Sequence, residues 1–175
     1  GIAEDQFQVI RDMFINIGHE FDVPIAVVND GDVTALAGSM SLEENSILGI
    51  ALGSSEAGGY VNHEGNITGW LNELAFCPVD YNPEAARDEG SGDYGVGAQY
   101  FSQQAVFRLA PLAGIDLPIE TTDAERLRHA QDLLQQGHEG ARDTWRTIGT
   151  YLGYTVPHYA DFYDIKHVLL LGRCT

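Results

Sequence analysis

Three short stretches of this 175-residue chain carry side chains whose types and spacing suit chemistry. The first is Val27-Val28-Asn29-Asp30-Gly31-Asp32, where a β-branched apolar run stops at an amide and a carboxylate. Apolar residues then resume at helical spacing as Val33, Ala35, Leu36 and Ala37. In α/β sheets ligands collect at the carboxyl ends of strands, beside helix N-termini. Asp30 therefore stands where a carboxylate either caps a helix, as Asp32 also can, or accepts a proton as a general base. The second stretch is Leu52-Gly53-Ser54-Ser55-Glu56-Ala57-Gly58-Gly59, which also follows an apolar run. Gly53, Ser54 and Ser55 there offer a nest of backbone donors for a phosphate. The third surrounds Glu73 with apolar residues in "GWLNELAFCPVD". A carboxylate so placed is either paired, solvated in a loop or bound to something polar.

The elements needed to hold these residues are legible as an alternation. Phe7, Ile10, Phe14, Ile17 and Phe21 recur with the period of one amphipathic helix over 4–21, which Pro24 ends. "PIAVVN" reads as a strand buried on both faces, and 32–40 as the helix after it. A strand over 47–52, the glycine-rich turn and a returning strand near Tyr60 and Val61 form a hairpin closed by "NHEGN". Residues 69–97 lose any period. Helices follow over 99–112, 123–135 (capped by Thr121 or Thr122) and 139 to about 162, the last strained by Pro157. "HVLLLG" is a final buried strand. Strands alternating with helices, without internal repeats, give an α/β class with a mixed sheet.

Composition narrows the partners. Twenty-six acids against nine bases leave a formal net charge of −17, which disfavours nucleic acid and anionic membranes. Lys166 is the sole lysine, so an anion site must rely on backbone N–H groups or a bound cation. Cys77 and Cys174 lie far apart in no C-x-x-C pair, and the six histidines show no ligand spacing. Neither a disulfide framework nor zinc is expected. With no leader-like N-terminus and no apolar run of membrane-spanning length, the expectation is a soluble, cytoplasmic protein.

In this order, Asn29-Asp30, "ALGSSEAGG", "NELAFCPVD" and the terminal "HVLLLGR" make the chain resemble, along nearly its whole length, the ROK family of sugar kinases and sugar-responsive repressors. That family belongs to the actin and hexokinase superfamily. The resemblance implies a ribonuclease H-like (actin-like ATPase) lobe, a mixed sheet flanked by helices. It implies that Asp30 takes the proton from a sugar hydroxyl as that hydroxyl attacks the γ-phosphate of ATP with Mg²⁺. Asn29, Glu73 and Asn72 would bind the sugar, and Gly53, Ser54 and Ser55 the ATP phosphates.

There are departures from the family pattern. Glu56 would repel a triphosphate unless it points away or meets Mg²⁺. Phe76 stands where the family has histidine, Ala98 where its kinases place a second glutamate, and the cysteine cluster for zinc is missing. The Asp-x-Gly-Gly-Thr turn of the kinases is absent too. Residues 1–44 are thus expected to finish a first lobe and 45–175 to form most of a second, cut off in the adenosine region. Such a piece of a sugar kinase is not expected to transfer phosphate alone. A non-catalytic sugar-binding module of a ROK-type repressor is the alternative. Self-association as a homo-oligomer is expected of the lobe with three long helices.

Overall fold

The computed structural model describes residues 4–25 and 27–175. Its centre is a three-stranded sheet of β1 (Ile47–Leu52), β2 (Glu56–Val61) and β3 (His167–Leu171), in the order β2-β1-β3. β1 pairs antiparallel with β2, with Leu52 opposite Glu56, and parallel with β3. The sheet is therefore mixed, as the alternation of elements requires.

Side chains alternate along β1 and so divide the two faces. Leu48, Ile50 and Leu52 enter the main core with Tyr60, Phe101, Val106, Leu127, Ile148 and Tyr159. That core joins the sheet to α4 (Gln103–Leu112), α5 (Asp123–Gln135) and α6 (Glu139–Tyr159). The opposite face of β1, carrying Ile47 and Gly49, lies under α3 (Asp30–Leu42). α3 presents small residues there, Gly31, Ala35, Gly38 and Ser39, so its backbone rides close to the strands. A Cβ on Gly59 would stand 2.0 Å from the Gly31 carbonyl oxygen, and one on Gly31 would stand 2.0 Å from that of Gly58. Only hydrogen fits at these crossings. α3, which the lobe division above groups with residues 1–44, is thus seated on the sheet.

Two expectations fail at the N-terminal end. "PIAVVN" is no strand among its described residues, and Ile25, Val27 and Val28 are exposed. A strand is defined by its ladder, and among the described residues no neighbour is placed to pair with this one. The single helix over 4–21 is two, α1 (Glu4–Arg11) and α2 (Met13–Phe21), parted at Asp12. Their stripe of Phe7, Ile10, Phe14 and Phe21 faces solvent.

Elsewhere the boundaries hold closely. α5 carries a capping box, Thr122 with Glu125. β3 forms where expected, but as an edge strand it is half-buried rather than buried, and Leu170 is 43% exposed. β2 starts four residues before Tyr60, and α4 starts after its Ser102 cap rather than at Gln99. The irregular 69–97 segment is ordered by its own backbone. The N–H groups of Val79 and Asp80 donate to Gly95 O, Gly95 N–H to Ala86 O, and Gly97 N–H to Cys77 O. Tyr100 adds a 2.5 Å hydroxyl bond to Asp80, whose carboxyl it holds below the usual carboxylate range. No described helix is long and apolar enough to cross a membrane.

Candidate functional site

The start of α3 settles which residue caps it. Asn29 has the extended backbone of an N-cap, and its Oδ1 accepts the Gly31 N–H at 2.9 Å. The cap is therefore Asn29, not Asp30 or Asp32 as the sequence suggested. Asp30 is the first helical residue; its Oδ1 accepts the same N–H at 2.9 Å, and its carboxylate is exposed.

Asp32, two residues on, is buried. Its Oδ1 accepts Asn72 Nδ2 at 3.0 Å, and Asn72 Oδ1 accepts the Tyr163 hydroxyl at 3.0 Å. Asn72 Nδ2 also donates to the Trp70 carbonyl at 3.3 Å. The buried Asn72 amide is thus turned inward, toward protein partners. Tyr163 titrates above the ordinary tyrosine value, chiefly because it is partly buried, with Cys77 and Asp32 adding to the shift. Asp32 and Tyr163 are contributors that sequence reasoning did not assign to the site. Their contacts span 40 and 91 residues, and no local pattern encodes them.

Glu73 is exposed just before a 3-10 turn at Leu74–Phe76. It opens on a cleft of about 430 Å³ shared with Trp70, Cys77, Tyr159, Phe162 and Tyr163. The Trp70 and Tyr163 rings lie 5.9 Å apart. Aromatic walls with one carboxylate suit a ligand with both apolar faces and hydroxyl donors.

Ser54 and Ser55, exposed at the hairpin tip, line a second cleft of about 480 Å³ with Phe76, Arg87, Ala98 and Gln99. Gly53 does not extend this nest as its sequence position suggested. Its N–H donates to Ser55 O at 2.9 Å, and its carbonyl accepts Gln103 N–H at 2.9 Å and faces Cys174 Sγ at 3.7 Å. Burial pushes the Cys174 thiol up to about 11. Gly58 and Gly59 belong to the packing against α3, so the glycine-rich stretch serves two purposes.

Glu56 points away from the tip. It is 3% exposed, and its Oε1 accepts the Tyr159 hydroxyl at 3.3 Å. Its Oε2 has no partner among the described residues. Burial pushes this carboxyl up to about 8, against the opposing pull of the Tyr159 bond. A group held this way is largely neutral near pH 7, so it places little repulsion on an anion at the tip.

Ser54 and Ser55 thus share a cleft with Phe76 and Ala98, Glu73 opens on the other, and Asn29 and Asp30 line neither. Among the described residues, no three His, Cys, Asp or Glu side chains stand together as metal ligands.

No protein-family model matches the sequence, and no curated protein matches it. Solved structures do. A ROK hexokinase from Thermus thermophilus superposes with a TM-score of 0.71 at 21% identity, over 91% of this chain and 52% of that one. A ROK-family glucokinase from Streptomyces griseus, solved with glucose and AMPPNP, gives 0.69 at 18% identity, over 91% and 55%. The fold is that of the ROK sugar kinases and regulators. A ROK transcriptional regulator, a homologue of the E. coli MLC protein, matches as well as the ROK kinases, at 0.70 and 21% over 93% of this chain and 42% of that one. The chain spans about half the length of these ROK structures.

Proposed function

We propose that this chain is the C-terminal portion of a cytoplasmic ROK-type sugar kinase that transfers phosphate from ATP to a hexose hydroxyl. In this reading residues 1–44 complete a first lobe and 45–175 make most of the second, with α3 as the junction, since it is seated on the sheet of the second. The observation that carries it is the pairing of a ROK fold with Asn29 and Asp30 at the head of α3. Asn29 is the cap and shares the Gly31 N–H with Asp30 Oδ1, which leaves Oδ2 of the exposed Asp30 carboxylate for another task.

Asp30 would accept the proton of the sugar hydroxyl as its oxygen bonds to the γ-phosphorus and the bond to the ADP oxygen breaks. Glu73, an acceptor at both oxygens when ionised, would take two sugar hydroxyls. The exposed hydroxyls of Ser54 and Ser55 are the groups at the tip that fit a phosphate. ATP with Mg²⁺ supplies the phosphoryl group and the neutralising charge. Pairing with a second copy belongs to the same reading, and light scattering at tens of micromolar checks it.

Asp30→Asn in the complete protein is the test. It keeps the shape of the side chain and leaves the Asn29 cap intact, so α3 is preserved. With a panel of hexoses and ATP, kcat should fall by roughly 10² to 10⁴ while sugar affinity changes little. Near-wild-type turnover in the variant would sink the assignment.

A second reading, a sugar-binding module of a ROK repressor, is favoured by Phe76 and Ala98 in the cleft beside Ser54 and Ser55. Asp88 and Glu89 line the same cleft, and their carboxylates would repel a triphosphate at the tip. A binding protein of this kind would retain sugar affinity and show no turnover in wild type.

A further inference from the structure

The buried chain Asp32–Asn72–Tyr163 links three elements that are remote in sequence: the first turn of α3, the segment before the 3-10 turn, and the connection from α6 to β3. Two of its members sit next to candidate site residues. Asp32 lies two positions from Asp30 on the same helical turn, and Asn72 is bonded through its own backbone to Glu73. The surroundings leave this link little freedom. A Cβ on Gly58 would stand 3.0 Å from Asn72 O and 2.6 Å from the Leu74 side chain, so β2 is packed directly against the segment that carries Asn72. Gly31 in turn presses on Gly58. Tyr163 is held on its other side by the Tyr60 ring, with centroids 5.0 Å apart.

We infer that Asp32, Asn72 and Tyr163 are positioning residues that fix the head of α3, with Asn29 and Asp30, relative to Glu73. This rests on the reading that Asp30 and Glu73 serve one sugar. The chemistry is suited to the task. The Asp32 carboxyl accepts a bond from an amide whose other end is held by a hydroxyl, so the amide has one favourable orientation. In a buried setting the bond is hard to replace, because breaking it strands a carboxylate. The backbone of 70–74 would otherwise be a surface loop, and its neighbours Trp70 and Leu71 are already exposed.

The geometry admits a reversal test. Asn72→Asp sets two carboxylates against each other in a buried contact. Adding Asp32→Asn restores the bond to position 32 with donor and acceptor exchanged, and Tyr163 can still donate to the carboxylate introduced at position 72; only the longer 3.3 Å bond to the Trp70 carbonyl is lost. Two measurements are made on the complete protein: amide hydrogen exchange over 70–74, and hexose affinity by titration calorimetry. In Asn72→Asp, exchange should rise and affinity fall, each by about tenfold or more. The double variant should return both to within about threefold of wild type. Tyr163→Phe, which removes only a hydroxyl, should shift both in the same direction by about threefold, and it serves if Asn72→Asp does not fold.

Failure of the double variant to restore exchange overturns the link. Exchange that responds while affinity stays level in every variant overturns the positioning role and leaves the kinase reading standing. A wild-type complete protein that binds no hexose of the panel, with exchange responding as expected, overturns the proposed function and the positioning role with it.

Discussion

The two halves of Gly53-Ser54-Ser55-Glu56-Ala57-Gly58-Gly59 look alike as sequence and behave oppositely as structure. At the tip, a Cβ on Gly53 would meet nothing closer than 3.7 Å, and the two serines face a cleft. Further along, Gly58 and Gly59 are enclosed by the backbone of α3 and the side chain of Leu74. One half is open toward ligand, and the other lets a helix lie against a strand. A glycine cluster after a strand therefore reports close approach, but not of what. Glu56 marks the divide, since its side chain turns into the core from the first residue of β2.

Gly59→Ala should have the largest effect. A methyl group 2.0 Å from the Gly31 carbonyl oxygen cannot be absorbed by a side-chain rotation, so α3 must lift from the sheet. The variant should lose on the order of 3 kcal/mol or more, or fail to fold, and urea denaturation reads the difference.

Glu56→Gln comes next. Because the folded value of about 8 exceeds the ordinary value of 4.5, Glu56 favours the folded state most at pH below that ordinary value. That contribution fades as pH rises toward 8. Glutamine mimics the neutral acid and cannot ionise. The variant should therefore gain on wild type between about pH 5 and pH 8.5, by on the order of 2 kcal/mol, in melts at the two pH values. An unchanged difference would mean that Glu56 is solvated.

Gly53→Ala should do least. Its Cβ enters open space and its φ is not in the left-handed region, so stability should change by less than about 1 kcal/mol in the same denaturation experiment.

What the sequence revealed follows the range of the forces involved. The bounds of β1 and α5 were legible to the residue, because a short apolar run ending in a glycine-rich turn and a threonine cap followed by acids are local signals. The head of α3 was legible as a place. Its cap was not, since Asn29, Asp30 and Asp32 are all good capping types and only backbone geometry separates them. "PIAVVN" misled because β-branched composition reports suitability for a ladder, and the ladder needs a neighbour. Asp32, Tyr163 and the inward turn of Glu56 were hidden because their partners lie 40 to 103 residues away. Glu73 stood out by its apolar surroundings in sequence, yet its own side chain is exposed, because those neighbours turn away from it along an irregular segment.

Cys174 gives the hairpin tip a natural reporter. It is 2% exposed and its thiol leans on the carbonyl of Gly53, whereas Cys77 is half-buried. An alkylating reagent should therefore modify the chain in two stages, Cys77 first. The slower stage is a clock, because it advances when the segment after β3 lifts from the hairpin tip. Any anion that tightens the tip against α4 should slow that clock without touching the sulfur.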